Sequence, residues 1–366
     1  MQKVENCHTI SMIRKECKKR IPRVAFEYLE SGTDKESLLD RNLKQFESIQ
    51  FIPKFCQGEK TTDLQTSFLN QEYSSPIGIA PIGLTGLVWP NAEKHLLKIA
   101  NNNRIPFCLS TVATCSPEEI DSQNKFSSKS KWFQLYPPKD FDILDSLLDR
   151  AKKSDFSTLV VTIDIPAPSR RERSRHAGLN MPLKFSRKLI IDGLLNPKWT
   201  LATIKNGLPR LKTVEYYANN NNLKFISKFV GNRLGGVIDW KYIELIRSKW
   251  KGPMLLKGVL HPDDARKAKE IGCDGVYVSN HGARQFDGGV SPLNQLMKIR
   301  EAVGRDYALA YDSGIRSGLD VMKAIYAGAD FVFIGRPFMY GIGAFQDAGA
   351  QQVHDILQDQ LRNNMM

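Results

Sequence analysis

Residues 307–336 read YALAYDSGIRSGLDVMKAIYAGADFVFIGR. Two short apolar segments, 307–314 and 331–336, flank a helix-like stretch at 319–327, and Gly328 stands where a helix-ending glycine is expected. A strand, a helix and a second strand in this order form a βαβ unit with parallel strands. Hydrogen-bonding residues and glycines follow each strand, at Asp312 and at Gly335. The stretch therefore predicts an α/β fold that carries its chemistry at the carboxyl ends of its strands.

The same unit recurs along the chain. Apolar, β-rich segments start about every 22 to 32 residues, with one longer gap after the fourth segment. The eight segments are residues 76–81, 106–111, 131–136, 158–164, 253–258, 275–280, 307–314 and 331–336. Eight parallel strands with intervening helices close into a barrel. We therefore predict a (β/α)8 TIM barrel over residues 76–366.

Two regions lie outside the regular repeat. Residues 1–75 contain helix-like stretches and predict a helical extension that caps the barrel. Residues 165–252 form a long insertion after the fourth strand. Between positions 165 and 235 there are 14 Lys and Arg residues against three acids, which accounts for most of the net charge of +13. Apolar residues such as Phe185, Leu194, Leu195 and Trp199 lie among them. Such a segment is typical of a membrane-surface element, but it also fits a solvated excursion that packs on the barrel.

Composition excludes several classes of protein. No run approaches the roughly 18 apolar residues that span a bilayer, and the first residues lack the apolar core of a secretory signal. The six cysteines form no CxxC pair, so we expect no metal site and a reduced, cytoplasmic setting. A GxGxxG fingerprint after a strand and a P-loop are both missing, because the nearest string, GIGAFQ at 341–346, lacks the third glycine. A nicotinamide-dependent or nucleoside triphosphate enzyme is therefore disfavoured.

Glycines and arginines follow the last two strands. Ser313, Gly314 and Arg316 follow the seventh strand, and Gly335 and Arg336 follow the eighth. Barrels often bind a phosphate at these two loops, where glycine lets backbone N–H groups approach and arginine supplies bidentate charge. Tight turns and ordinary salt bridges would also account for these residues. The pairing of glycine with arginine at both loops favours a phosphate site.

A histidine follows the sixth strand, in SNHGARQFDGG (279–289). His281 stands where a general base would act, and Arg284 could bind a carboxylate. Asp164, at the end of the fourth strand, could hold the imidazolium. One arginine of residues 170–173 could be a second carboxylate clamp, or these arginines could simply belong to the basic segment.

These strings resemble the FMN-dependent 2-hydroxy-acid dehydrogenases and oxidases. The resemblance runs from about residue 26 to the C-terminus and rests on SNHGARQFDGG (279–289), YDSGIRSG (311–318), FIGRPFMYG (333–341), WFQLY (132–136), VTIDIP (161–166) and APIGLTG (80–86). It implies bound FMN and the oxidation of an L-2-hydroxy acid, similar to lactate or mandelate, to the 2-oxo acid. Homo-tetramers are usual in the family, and a further segment beyond Met366 is expected from its pattern.

The resemblance also implies roles for individual residues. His281 would be the base, Asp164 would stabilise the imidazolium, and Lys257 would sit beside the flavin and stabilise the reduced ring. The substrate would be held by Arg171, Arg284, Tyr28 and Tyr136. The flavin ring would be bonded by Ser110, Gln134, Thr162 and Ser279, with the backbone of Pro81 and Gly83 against it. Asp312 would hold the ribityl chain, and the phosphate would be bound by Gly314, Arg316, Gly335 and Arg336.

The insertion helps to distinguish between the possible electron acceptors, quinone and O2. Residues 170–211 are similar to the membrane-binding loop of the quinone-linked bacterial members of the family. This favours a peripheral protein on the inner, cytoplasmic face of an anionic cell membrane, with quinone as acceptor. The alternatives are a soluble oxidase that reduces O2 to H2O2, or an inactive barrel acting as a nucleic-acid or membrane adaptor. Nucleic acid is disfavoured because base-stacking aromatics do not alternate with the arginines.

Gly83 and Val112 stand where some members of the family have larger residues, so we expect a wider substrate pocket.

Overall fold

The computed structural model describes residues 3–56, 58, 62–121, 127–179, 187–218, 223–235 and 238–366. A closed barrel of eight parallel strands forms its centre. Its strands are β3 (Ile77–Ile79), β4 (Phe107–Ser110), β5 (Lys131–Leu135), β6 (Thr158–Thr162), β7 (Met254–Val259), β8 (Gly275–Val278), β9 (Ala308–Tyr311) and β10 (Phe331–Ile334). They are hydrogen-bonded around the barrel in the order β10-β3-β4-β5-β6-β7-β8-β9. Each strand lies within one of the eight apolar segments except β7, which extends one residue further to Val259, so the predicted TIM barrel is confirmed.

Helices surround the barrel and precede it. Before the barrel lie α1 (Ile10–Arg20), α2 (Arg23–Glu30) and α3 (Ser37–Lys44). The first half of the barrel has α4 (Ala92–Asn102), α5 (Pro117–Asp121) and α6 (Phe141–Lys153). The insertion contains α7 (Glu172–His176), α8 (Arg187–Leu195), α9 (Pro197–Asn206), α10 (Lys212–Ala218), α11 (Leu223–Arg233) and α12 (Trp240–Lys249). The second half has α13 (Pro262–Glu270), α14 (Pro292–Val303), α15 (Gly318–Tyr326) and α16 (Arg336–Met365).

The barrel has two separate apolar cores. Side chains from alternate strand positions fill its interior, where Trp132, Tyr277 and Phe333 are fully buried and their rings pack about 5.1 Å apart. The other face of each strand packs against the helices in a much larger core. Strands that are buried on both faces need continuous apolar sequence, which is why the eight segments are recognisable.

A two-stranded antiparallel hairpin closes the N-terminal end of the barrel. Its strands are β1 (Thr66–Phe68) and β2 (Gln71–Tyr73), and Phe68 stacks on Trp132 and on Phe331 at ring distances of 6.1 and 5.1 Å. This hairpin was not part of the prediction, which expected a helical extension over residues 1–75. The hairpin turn is formed by Leu69 and Asn70, both with left-handed backbone angles, and so lacks the glycine that marks most such turns.

The extension also reaches the opposite end of the barrel. The C-terminal ends of the strands are covered by the end of α2 and by α3. Asn42 of α3 exchanges two amide hydrogen bonds with Asn280, at 2.9 and 2.7 Å. Tyr28 of α2 donates to the carbonyl of Gly83, at 2.7 Å. The first 75 residues therefore contribute to both ends of the barrel.

The insertion exposes an apolar surface on α8 and α9. The exposed large apolar side chains there are Ile190, Ile191, Leu194, Leu195, Leu201 and Ile204. Trp199 does not share this exposure, because its ring is buried and its indole N–H donates to the carbonyl of Leu87 at 3.2 Å. Trp199 thus ties α9 to the barrel. Lys184 and Phe185 lie outside the described residues.

The last helical segment turns back on itself. Phe345 and Gln346 have non-helical backbone angles inside α16. Around this kink Gly341 and Gly349 approach so closely that a Cβ on Gly349 would lie 2.1 Å from the carbonyl oxygen of Gly341. The glycines of GIGAFQ therefore serve helix packing. Within the described residues, no helix is long and apolar enough to cross a membrane.

Candidate active site

His281 and Asp164 form a hydrogen-bonded pair at the C-terminal end of the barrel. His281 follows β8 and Asp164 follows β6. The imidazole Nδ1 lies 2.9 Å from Oδ1 of Asp164, and Nε2 lies 3.3 Å from the hydroxyl of Tyr136. Because Nδ1 donates to the carboxylate, Nε2 carries the lone pair and faces the cavity. Gly258 permits this contact, since a Cβ there would lie 2.5 Å from Asp164.

Burial and charge together prepare this pair for proton transfer. Burial is the largest influence on His281 and lowers its pKa below the usual value, although the charge of Asp164 acts in the opposite direction. Burial alone would raise the pKa of Asp164, but the charges of His281 and Lys257 outweigh it, so that this pKa is lowered. A neutral imidazole beside an ionised carboxylate is the state that a general base requires near pH 7.

Two arginines face the same cavity without a carboxylate partner among the described residues. Arg284 donates to backbone carbonyls of Tyr28 and Ser31, at 2.9 and 3.0 Å. Burial, aided by repulsion from Arg171, lowers the pKa of Arg284 well below its usual value. Arg171 stands at the start of α7 and lines the cavity. Two crowded guanidinium groups favour the binding of an anion such as a carboxylate.

A buried lysine lies in the floor of the cavity. Lys257 of β7 donates to the hydroxyl of Ser279 at 2.9 Å, and its Nζ is 3.4 Å from Oδ2 of Asp312. Ser279 in turn donates to Asp312 at 2.6 Å, and Ser313 donates to the same carboxylate oxygen at 2.8 Å. These bonds fix the ammonium group at one point below the cavity.

Three polar side chains connect neighbouring strand ends. The hydroxyl of Ser110 donates to the side-chain carbonyl of Gln134 at 2.8 Å. The amide of Gln134 donates to the hydroxyl of Thr162 at 2.9 Å. Because β4, β5 and β6 are adjacent in the barrel, this chain of bonds follows its rim. It presents a row of hydrogen-bonding groups beside the cavity.

One end of the cavity is lined by two glycines, Gly314 and Gly335, and by two arginines. Gly314 has a left-handed φ of 93°, and a Cβ there would lie 2.0 Å from the backbone oxygen of Asn42. Arg316 and Arg336 both line the cavity. Burial, together with repulsion from Arg316, lowers the pKa of Arg336 to about 10. Positive charge is therefore concentrated where an anionic group would neutralise it.

Comparisons with known proteins identify the family. The model of the FMN-dependent dehydrogenase family matches residues 17–366. This chain belongs to that family. L-lactate dehydrogenase of Xanthobacter autotrophicus is 38% identical over 351 residues, which are 95% of this chain and 89% of the relative. L-lactate dehydrogenase of Pseudomonas syringae is 38% identical over 345 residues, with 94% and 90% covered.

Solved structures agree with this assignment. The monotopic membrane protein (S)-mandelate dehydrogenase has a TM-score of 0.93 and 31% identity, with 98% of this chain and 95% of that chain covered. A mandelate oxidase has a TM-score of 0.81 and 26% identity, with 98% and 93% covered. The resemblance to FMN-dependent 2-hydroxy-acid dehydrogenases and oxidases is thus confirmed. The protein is an FMN-dependent oxidoreductase.

The cavity fits the cofactor of an FMN-dependent dehydrogenase. One end carries Arg316 and Arg336, which suit a phosphate dianion, and a Cβ on Gly282 would come within 2.8 Å of Arg336. Lys257 lies in the floor of the cavity, and the hydrogen-bonded side chains of Ser110, Gln134 and Thr162 lie along its rim. A planar polar ring with a phosphate tail matches this order of groups.

The predicted site residues converge on one cavity. Those that line it are Tyr28, Pro81, Gly83, Tyr136, Arg171, Lys257, His281, Arg284, Asp312, Gly314, Arg316, Gly335 and Arg336. Those that lie behind the lining are Ser110, Gln134, Thr162, Asp164 and Ser279. No role was predicted for Gly282, whose backbone N–H donates to the hydroxyl of Ser313 at 3.1 Å, or for Leu29 of the lining. Their position beside predicted residues was the only signal for them.

Gly83 and Val112 do not simply widen the pocket. A Cβ on Gly83 would lie 2.5 Å from Cγ2 of Val112, so the valine side chain occupies the space that the glycine leaves. The amide of Leu84 also donates to the carbonyl of Val112 at 2.9 Å. Val112 therefore takes up the room beside Gly83, and the expected wider pocket stays a prediction.

Proposed function

We propose that this enzyme oxidises a small L-2-hydroxy acid, with L-lactate or L-mandelate as the model substrates, to the 2-oxo acid and passes the electrons to a membrane quinone. The substrate proposal rests on one observation above all. The Nε2 of His281 and two guanidinium groups without carboxylate partners among the described residues face one cavity. A 2-hydroxy acid presents a carboxylate and a reactive C–OH group to match them.

Each residue has a defined task in this reaction. Arg171 and Arg284 bind the carboxylate of the substrate, and Tyr136 orients the hydroxyl group. His281 takes a proton from the substrate at Nε2, and Asp164 stabilises the imidazolium through Nδ1. FMN supplies a two-electron acceptor when it is bound.

Lys257 places a fixed positive charge under the cavity, in a position to stabilise negative charge that develops there. Its ammonium group is buried and held by Ser279 and Asp312. Preorganised charges of this kind contribute more inside a protein than in water, because no solvent has to reorganise during the reaction.

The proposal that a membrane quinone accepts the electrons rests on the insertion. Exposed leucines and isoleucines of α8 and α9 lie beside Lys198 and Lys205. An apolar face with basic neighbours binds to an anionic lipid surface. We place the enzyme as a peripheral protein on the cytoplasmic face, where a quinone in the bilayer can reach it, and as a homo-oligomer, by analogy with its family. A soluble oxidase that uses O2 is the second candidate.

One experiment tests substrate and acceptor together. The visible spectrum of the purified holoenzyme is recorded, and L-lactate, D-lactate and L-mandelate are then added separately without oxygen. We expect an L-acid, and not D-lactate, to bleach the flavin bands. Failure of both L-acids to bleach bound flavin would contradict the proposed substrate class.

The reduced enzyme is then mixed with a short-chain ubiquinone or with air-saturated buffer. Faster re-oxidation by the quinone is the expected result. Faster re-oxidation by oxygen, with formation of H2O2, would instead support the oxidase.

A further inference from the structure

A buried carboxylate outside the proposed catalytic set connects three helices. Glu30, at the end of α2, is only 9% exposed. Arg14 of α1 donates to both of its oxygens, at 3.0 and 2.6 Å. The hydroxyl of Tyr340 in α16 also donates to Glu30. A buried carboxylate with three such bonds holds its neighbours firmly, because losing any partner leaves charge unpaired.

The same turn of α2 holds two arginines of the cavity. Arg336 donates to the carbonyl oxygens of Leu29 and Ser31, at 2.9 and 3.1 Å. Arg284 donates to the carbonyl oxygens of Tyr28 and Ser31, at 2.9 and 3.0 Å. The last carbonyls of a helix lack partners within the helix and carry its negative dipole end, so they suit guanidinium donors.

We propose that Glu30 is a positioning residue that, through Arg14 and Tyr340, fixes the last turn of α2 so that its carbonyls hold Arg336 at the phosphate of FMN and Arg284 at the carboxylate of the substrate. The part of the proposal that concerns Arg336 and the phosphate requires only that the protein binds FMN. The part that concerns Arg284 and the substrate carboxylate rests on the proposed function.

The electrostatics of the site agree with this arrangement. The guanidinium carbon of Arg316 lies 6.0 Å from the centre of the Tyr340 ring, so the Glu30 network also lies near Arg316. Burial and Arg316 lower the pKa of Arg336, whereas the negative charge of Glu30 raises it. Glu30 is therefore close enough to act on Arg336 electrostatically.

Two variants distinguish a positioning role of Glu30 from a purely electrostatic effect of its charge. Glu30→Gln removes a negative charge near the phosphate, so charge alone would tighten FMN binding. Arg14→Ala removes a positive charge, so charge alone would weaken it. If Glu30 acts by position, both variants weaken FMN binding, by about tenfold, which is the scale of one lost charged hydrogen bond.

The readout compares FMN with riboflavin, which has the same ring but no phosphate. The holoenzyme is equilibrated with a mixture of the two flavins, and the ratio that remains bound is measured. We expect both variants to lose about tenfold of the preference for FMN. A matched control is Glu118→Gln, because Glu118 forms a bidentate pair with Arg150, at 2.6 and 2.9 Å, outside the cavity. The control should keep the preference.

Several results would overturn the proposal. An unchanged flavin ratio together with a lower melting temperature would mean that Glu30 is merely structural. Tighter FMN binding by Glu30→Gln would mean that charge dominates. If Glu30→Gln does not fold, Tyr340→Phe removes one bond to the carboxylate and should still reduce the preference for FMN.

The part of the proposal that concerns Arg284 and the substrate carboxylate has its own readout. Binding of a 2-oxo acid to the FMN-loaded variants should weaken in parallel with the flavin preference. If the flavin preference falls while 2-oxo acid binding does not change, the link to Arg284 is refuted. If wild-type enzyme binds FMN but no 2-oxo acid, the proposed function fails instead.

Discussion

His281 has a left-handed backbone, with φ of 58°, and so does Ala283 two residues later, with φ of 63°. Residues other than glycine rarely adopt this conformation, at a cost of about 1–2 kcal/mol each. The surrounding bonds maintain it, since the His281 amide donates to Ser279 and the Ala283 amide donates to Asn280. The strained turn directs the imidazole towards Asp164 and the cavity. The proposed base thus lies in a strained turn.

We expect His281→Gln to lower turnover by about 10²- to 10⁴-fold or more, because glutamine cannot accept the proton. Bound FMN should remain, since glutamine keeps the polarity of the site. Stopped-flow bleaching by L-lactate measures the step directly. His261→Gln is the matched control, because His261 only caps α13 and is exposed. Near-normal bleaching by the His281 variant would remove this residue from the mechanism.

The pH dependence of kcat/KM in the Asp164→Asn variant tests the pairing of His281 with Asp164. In the wild type kcat/KM should fall as the pH falls through the lowered pKa of His281, because the protonated ring cannot act as a base. Asp164 raises that pKa, so its removal should move the acidic limb to still lower pH. The rate should also fall, by about 10²- to 10⁴-fold, since the imidazolium loses its stabilising charge. A limb that shifts to higher pH would contradict this assignment.

The positions of the proposed reacting residues were predictable from the sequence because these residues lie at or directly after the ends of barrel strands. Strand ends converge on one rim, so His281, Asp164 and Lys257 could be placed together without coordinates. Glu30 and Asn42 could not be placed in this way. They lie on helices of the N-terminal extension, and nothing in their local sequence shows that α2 and α3 cover the mouth of the barrel.

At the scale of elements, the helix pair α8 and α9 is attached to the barrel and also exposes large apolar side chains to solvent. Pro197 at the start of α9 fixes its first turn, and Trp199 anchors it to Leu87. Leu194, Leu195 and Leu201 face outwards, with exposures of 73, 72 and 67%. Leaving such side chains in water is costly, at about 25 cal/mol per Å², and a lipid surface relieves that cost.

We expect replacement of Leu194, Leu195, Leu201 and Ile204 by serine to release the enzyme from phospholipid vesicles and to leave flavin reduction by substrate unchanged. Co-sedimentation with vesicles measures the first effect and anaerobic bleaching the second. The control replaces exposed apolar residues elsewhere, namely Phe286, Val290, Met297 and Tyr326, by serine. Equal release by both sets of substitutions would contradict a specific role of α8 and α9.

The β1–β2 hairpin shows where element prediction from sequence fails. Its strands are three residues long, and its turn uses Leu69 and Asn70 in a conformation that usually selects glycine. The hairpin exists because Phe68 and Tyr73 complete the barrel interior. Such a tertiary cause leaves no periodic pattern in the sequence.

At the scale of the whole molecule, charge is unevenly divided. The net charge is +13, and 14 basic residues against three acids lie between positions 165 and 235. The remainder of the chain is close to neutral. We therefore expect binding to phosphatidylglycerol vesicles to weaken when salt rises from about 0.05 to about 0.5 M, because exposed charges are then screened. Binding to neutral phosphatidylcholine vesicles should be weaker and insensitive to salt, and equal salt dependence on both lipids would contradict this prediction.

The hairpin closes the barrel at the end opposite the cavity, and this offers a route to bioelectrochemistry. Attachment through Asn70 at the hairpin turn would present the substrate mouth outwards and keep α8 and α9 away from the support. A conducting surface coupled there would be separated from the flavin cavity by the full length of the strands. Coupling through α9 instead would bring the surface close to Leu87 and the loop after β3. The two orientations should therefore differ sharply in catalytic current, which makes the enzyme suitable for an oriented biosensor.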